Sequence, residues 1–291
     1  MSGLKTILTC LCDAETLPAT LELALLVGRD HAAHVQALHV KIDPASAVPL
    51  VGEGMSGAMV EEMLGVAERQ ATERAAAIQA LFLKTCDRLG VALRRTPGTQ
   101  TEVSAVWREE IGREEEIIAA AGRLSDLLVI ARPNADGDLP SLISLNAALL
   151  ETGRPLMLAP PAVPTEVGRS IAVLWNGSVE ATRAVAAAMP FLARAQTVTI
   201  LSAREDEDDN SADGLADYLG WHGIRASEHA LIGGSAVGGH VAQTLMDEAV
   251  TRGADMIVMG AYTHSRLRQL ILGGVTRHVL HQAKLPVLLC H

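Results

Sequence analysis

Asp255–Cys290, DMIVMGAYTHSRLRQLILGGVTRHVLHQAKLPVLLC, contains a complete strand, loop, helix and strand in one reading. Met256 to Met259 is an apolar run of strand length, Gly260 stands at its end, and a polar loop runs from Ala261 to Arg268. Gly273 and Gly274 precede a helix from about Val275 to Ala283, and Pro286 to Leu289 is a last apolar strand. From Met256 onward there is no Asp or Glu, whereas Arg266, Arg268, Arg277 and Lys284 are present with His264, His278, His281 and His291. In a chain of formal charge −10 this predicts a local positive field. A glycine pair before a helix offers unpaired N–H groups and the positive helix end to an anion, with phosphate the natural candidate. The alternative reading of the same glycines is a plain turn.

The segment resembles the carboxy-terminal signature of the universal stress protein family, a nucleotide-binding branch of the doubly wound α/β proteins. That signature runs Gly, two residues, Gly, nine residues, Gly, then Ser or Thr. Gly260 and Gly273 fill the first and third glycine positions, and Thr276 matches a hydroxyl residue common two places after the Ser/Thr. Thr263 stands where the second glycine is expected, and Gly274 stands at the Ser/Thr position. A β-branched residue at 263 resists the positive φ and close phosphate approach that glycine allows. Gly274 loses a hydroxyl and keeps its N–H.

With 291 residues and 49% hydrophobic content the chain can fill two cores, and only 2% aromatics means they are built from Ala, Leu, Val and Ile. The cysteines Cys10, Cys12, Cys86 and Cys290 form no CxxC and no disulfide framework, which fits a reducing compartment. MSGLKTILTCLCDAE at the start reads as a strand rather than a signal peptide, and no apolar run reaches membrane-spanning length. A cytoplasmic protein is expected. Net acidity argues against nucleic acid as the main partner.

Leu4–Leu11, Val35–Ile42, Val103–Trp107, Asp126–Ala131 and Pro155–Ala159 read as strands of a first half. Helices are expected over Leu17–Arg29, Met59–Leu89, Glu114–Arg123 and Ile143–Glu151. After a stiff linker containing Pro160, Pro161 and Pro164 the plan repeats, with strands at Ile171–Trp175, Val198–Ala203, Ala226–Ile232 and Asp255–Met259 before the last one. Helices alternate with them at Glu180–Leu192, Asp213–His222 and His240–Arg252. Asp126-Leu-Leu-Val-Ile matches Asp255-Met-Ile-Val-Met, and Leu89-Gly90-Val91 matches His222-Gly223-Ile224 at a similar offset. The expectation is two tandem α/β domains, 1–162 and 163–291, each a doubly wound five-stranded parallel sheet, the first carrying an insertion.

The resemblance implies an adenine nucleotide, ATP with Mg²⁺, held in the second half, with Asn176, Gly260, Thr263, His264, Gly273, Gly274, Val275 and Thr276 as the candidate contacts. It also implies that first and fourth strands are adjacent, so that Trp175-Asn176-Gly177-Ser178 faces Gly260 across one crevice. Asn176 replaces the acid that often ends the first strand in the family. The first half keeps Asp13 after Cys12 but loses the Gly-Ser that should follow, and Asp136 and Asp138 stand where phosphates would lie. It is read as a copy that kept the fold and lost the site. Gly233-Gly234-Ser-Ala-Val-Gly238-Gly239 is read as a lid or a plain connection, and Glu114-Glu115-Glu116 as solvated surface. The leading functional reading is a stress-response regulator. The alternatives are a slow ATP-hydrolysing or nucleotidyl-transfer enzyme with His264 as acid–base, and a ligand-free scaffold. The resemblance also implies pairing through the last strands, so that Pro155–Ala159 and Pro286–Leu289 join the halves within one chain as a pseudo-dimer, with dimerisation of whole chains left open.

Overall fold

The computed structural model describes residues 3–41, 57–99, 101–133, 142–204, 214–232, 238–262 and 274–291. The first half comprises β1 (Thr6–Cys10), α1 (Leu17–His31), β2 (His34–Lys41), α2 (Gly57–Arg88), β3 (Ala92–Leu93), β4 (Ser104–Ile111), α3 (Glu114–Gly122), β5 (Leu127–Ala131), α4 (Leu142–Leu150) and β6 (Leu156–Ala159). The second comprises β7 (Ser170–Leu174), α5 (Val179–Leu192), β8 (Thr197–Arg204), α6 (Leu215–Trp221), β9 (Ala226–Ile232), α7 (Gly238–Thr251), β10 (Met256–Gly260), α8 (Gly274–Gln282) and β11 (Val287–Cys290).

All strands form one sheet in the order β3-β4-β2-β1-β5-β6-β11-β10-β7-β8-β9. Within each half the pairing is parallel, with β1 between β2 and β5 and with β7 between β8 and β10. The halves meet through the antiparallel pair β6 and β11, where Val287 lies opposite Leu158 and Leu289 opposite Leu156. That is the pairing expected for the two last strands. The two-residue β3 adds an outer strand that the sequence reading does not contain, and β4 extends beyond Trp107 to Ile111. Both departures lie near the sheet edge, where polar residues such as Arg108, Glu109 and Glu110 mask strand periodicity.

Side chains alternate across the sheet and build a core on each face. One face packs α1, α2, α5 and α6 on residues such as Ile7, Val129, Ile171 and Val258. The other packs α3, α4, α7 and α8 on Leu8, Leu128, Ala172 and Ile257. Both cores run through the joint without interruption, so the repeat is buried as a single body. Among the described residues no helix is long and apolar enough to cross a membrane.

The matched Asp126 and Asp255 perform the same task at the amino ends of the strands. Asp126 Oδ2 accepts the N–H groups of Lys5 at 2.8 Å and Thr6 at 2.9 Å. Asp255 accepts those of Gly168 at 2.7 Å, Arg169 at 3.0 Å and Ser170 at 3.1 Å. Asp126 ties the start of β5 to that of β1, and Asp255 ties the start of β10 to that of β7. Burial raises the Asp255 carboxyl above its ordinary value, and the three backbone donors oppose that shift.

His31 at the end of α1 packs edge-on against Phe191 of α5, with ring centroids 5.0 Å apart, and so belongs to the contact between halves. Burial lowers its pKa below 6.5, with nearby Arg194 adding to the effect. A histidine depressed in the folded state contributes stability that is fully present above its unfolded value and is lost as pH falls through the folded one. The melting temperature of the His31→Gln variant is therefore expected to fall less than that of the wild type between about pH 8 and pH 5. Parallel curves for the two proteins would remove His31 from the acid response.

Candidate functional site

Because β7 and β10 are parallel neighbours with Met259 opposite Leu174, Trp175 and Gly260 end their strands at the same level. Beyond Trp175 the chain turns through Asn176-Gly177-Ser178 into α5. Asn176 Oδ1 accepts the Ser178 N–H at 3.2 Å, Gly177 has φ +70°, and Ser178 Oγ accepts the Ala181 N–H at 3.1 Å as the helix cap. The carbonyl-side acceptor of Asn176 is thus engaged in the turn itself.

Gly260 has a packing reason. A Cβ placed there would lie 2.4 Å from the Ala181 nitrogen and 2.6 Å from the Glu180 carbonyl carbon. The first turn of α5 presses directly on the end of β10, and only a residue without a side chain fits between them. The close approach of α5 is by itself a sufficient reason for a glycine at this position.

Ala261 donates its N–H to the Cys290 carbonyl at 2.8 Å, and Tyr262 follows in the left-handed region at φ +61°. Its N–H donates to Thr276 Oγ1 at 3.2 Å and its hydroxyl to Asn146 Oδ1 of α4 at 2.7 Å. Burial pushes the phenol up to about 12, so it remains a donor. The positive φ at a tyrosine costs roughly 1 kcal/mol or more and is held by these two bonds. Thr276 is buried and serves the backbone, while Gly274 is exposed and Val275 half-buried at the start of α8. The structure therefore brings Asn176, Gly260 and the first residues of α8 to one end of the sheet. Thr263, His264, Gly273 and residues 233–237 of the second glycine-rich stretch lie outside the described residues, as do Asp136 and Asp138.

The electrostatics differ from a uniform basic stretch. Lys284 lines a groove of about 550 Å³ with Asp255, Ser170, Thr197 and the proline linker, at the amino ends of the strands. It contributes nothing to the crevice at their carboxyl ends. Arg183 of α5, absent from the sequence reading, lies within electrostatic reach of Cys290 at the carboxyl end of β11: burial pushes the Cys290 thiol up to about 12, and Arg183 pulls it the other way. His278 is bonded to Gln243 Oε1 at 2.8 Å. The Trp175 indole nitrogen is buried without a hydrogen-bond partner among the described residues.

At the corresponding end of the first half an acid lies beside Cys12, just beyond β1. Glu114 accepts the Cys12 thiol at 3.0 Å and the Ser144 hydroxyl at 2.5 Å. It is not solvated surface, unlike Glu116, which pairs with the exposed Arg113. Burial, then Glu114, raises Cys12 well above the ordinary thiol value. Asp13, the retained acid, accepts the N–H groups of Glu15 and Thr16 at 2.8 and 2.7 Å and is spent on the turn.

The family model described as the Universal stress protein family matches residues 169–291. These residues are a universal stress protein domain. A universal stress protein from Archaeoglobus fulgidus DSM 4304 is 18% identical over 97% of this chain and 95% of its own, with a TM-score of 0.61. A Pseudomonas aeruginosa UCBPP-PA14 protein provisionally given the same name is 15% identical over 99% and 93%, with a TM-score of 0.58. A protein of unknown function from Pseudomonas aeruginosa PAO1 is 14% identical over 99% and 92%, with a TM-score of 0.54. At these identities the likeness is one of fold, and it extends over both halves. No curated protein matches the chain.

Gly260→Ala is expected to destabilise the universal stress protein domain by about 2–3 kcal/mol through the clash with α5. Tyr262→Phe, which loses one hydrogen bond, should cost about 1 kcal/mol. Urea unfolding checks both, and an Ala variant as stable as the wild type would contradict the packing role of Gly260.

Proposed function

We propose that the crevice at the carboxyl ends of β7 and β10 holds an adenine nucleotide, ATP with Mg²⁺, and that residues 163–291 are the binding unit of a stress-response regulator whose partner unit, residues 1–162, has lost its site. The observation that carries this reading is topological. The order of the second half reverses between β7 and β10, and ligands of open α/β sheets bind outside the carboxyl ends of the strands at such a switch point. The signature resemblance falls on the loop and helix that leave β10 there.

In this reading the exposed amide of Asn176 meets the base or ribose. The amino end of α8, with the N–H groups of Gly274 and Val275, faces the phosphates. Arg183 adds positive charge at that end, and the indole N–H of Trp175 is a donor that a ligand acceptor would satisfy. Output comes from a shift in conformational population, to the extent that nucleotide favours one state.

A second reading, a ligand-free scaffold, is favoured by a specific fact. Asn176 Oδ1, Gly260 and Thr276 Oγ1 each already serve the protein's own backbone.

One experiment separates them. Purified protein is denatured and its supernatant analysed for nucleotide, and the apo protein is titrated calorimetrically with Mg-ATP beside Gly273→Val. Binding near one nucleotide per chain, lost in the variant, is the expected result. A folded protein with no released nucleotide and no titration signal would leave the scaffold.

A further inference from the structure

The helix α2 spans Gly57–Arg88, yet each of its buried residues, Ala75, Ile78, Phe82, Thr85 and Cys86, lies in its second half. Its first half, about 25 Å long at the α-helical rise, has no fully buried residue. An isolated helix segment of that length is marginal in water unless an apolar face is covered. Such a face is present. Met63 and Val66 are 51% and 39% exposed, and with Met59, Ala67 and Gln70 they line a shallow groove of about 410 Å³ along the helix. Their spacing, three and four residues, is that of a helix-packing seam.

The charges beside this seam favour one occupant. Glu62 and Arg69 stand one heptad apart on the same flank, and neither makes an ion pair with another described residue. Two copies of the segment laid antiparallel, with the two-fold axis near Gly65 and Val66, set Glu62 of each against Arg69 of the other. Met63 of each then packs on Val66 of its partner. A parallel pairing would give neither match, because like residues would face one another.

We infer that the first half of α2 is a self-association surface, docking antiparallel on the same segment of a second copy of this chain. The patch is small beside a standard interface, so the dimer is weak and concentration-dependent. Its charged flank makes it weaker at high salt.

Sedimentation velocity and light scattering on the full chain over a range of concentrations test this. The wild type is expected to pass from monomer to dimer. Met63→Glu and Val66→Glu should remain monomeric with unchanged melting, since both side chains are exposed. Glu62→Arg should raise the dissociation constant about tenfold by replacing two attractive contacts with repulsive ones. Glu62→Arg combined with Arg69→Glu should restore it. A chain that is monomeric at every concentration overturns the inference, as does a dimer that neither Met63→Glu nor Val66→Glu changes. A dimer dissolved by those variants but not restored by the charge exchange overturns the antiparallel pairing.

Discussion

The antiparallel ladder between β6 and β11 is the constraint on which the architecture depends. Each half alone would end in a short, wholly apolar edge strand, LMLA or VLLC, with its backbone groups open to any other strand. Joining them satisfies both edges at once and makes both strands interior, where they are fully buried. The joint also fuses what would be four small helix–sheet cores into two large ones. Among the described residues the edges of the sheet are β3 and β9, and both are guarded. β3 is two residues long, and β9 carries Ser227, Glu228 and His229.

Much of this was legible in the sequence because parallel strands buried on both faces read as unbroken apolar runs. Leu-Leu-Val-Ile and Met-Ile-Val-Met are such runs, short enough for strands and bounded by an aspartate. The repeat could be seen because the same physical need recurs: Asp126 and Asp255 precede those runs to bind the backbone of a neighbouring strand. The edge strand β3 was not legible, since two residues carry no period. The fate of Glu114 was hidden for a different reason. Three consecutive glutamates at a helix start look alike in sequence, and only the approach of Cys12 and Ser144 singles one out.

The candidate site was legible as a place more than as a set of contacts. Asn176, Gly260 and the start of α8 do converge, because strand order alone brings them together. Their individual duties were not readable, because each depends on a partner distant in the chain. Gly260 answers to Ala181, Thr276 to Tyr262, and Tyr262 in turn to Asn146 of the other half. Tyr262 is the clearest case, since nothing in its sequence context announces a left-handed backbone at an aromatic residue. Lys284, counted with its basic neighbours, is carried by α8 to the far end of the sheet.

The opposed direction of β6 and β11 also fixes how the halves look outward. Within each half the other strands run with its last one, so the carboxyl ends of one half point the same way as the amino ends of the other. The two crevices therefore open at opposite poles, and whatever occupies one rests beside the footings of its sibling. Arg132, leaving β5, accordingly reaches the carbonyl of Ala283 at the foot of α8. The carboxyl ends of the two halves are thus set apart by the length of the strands that join them.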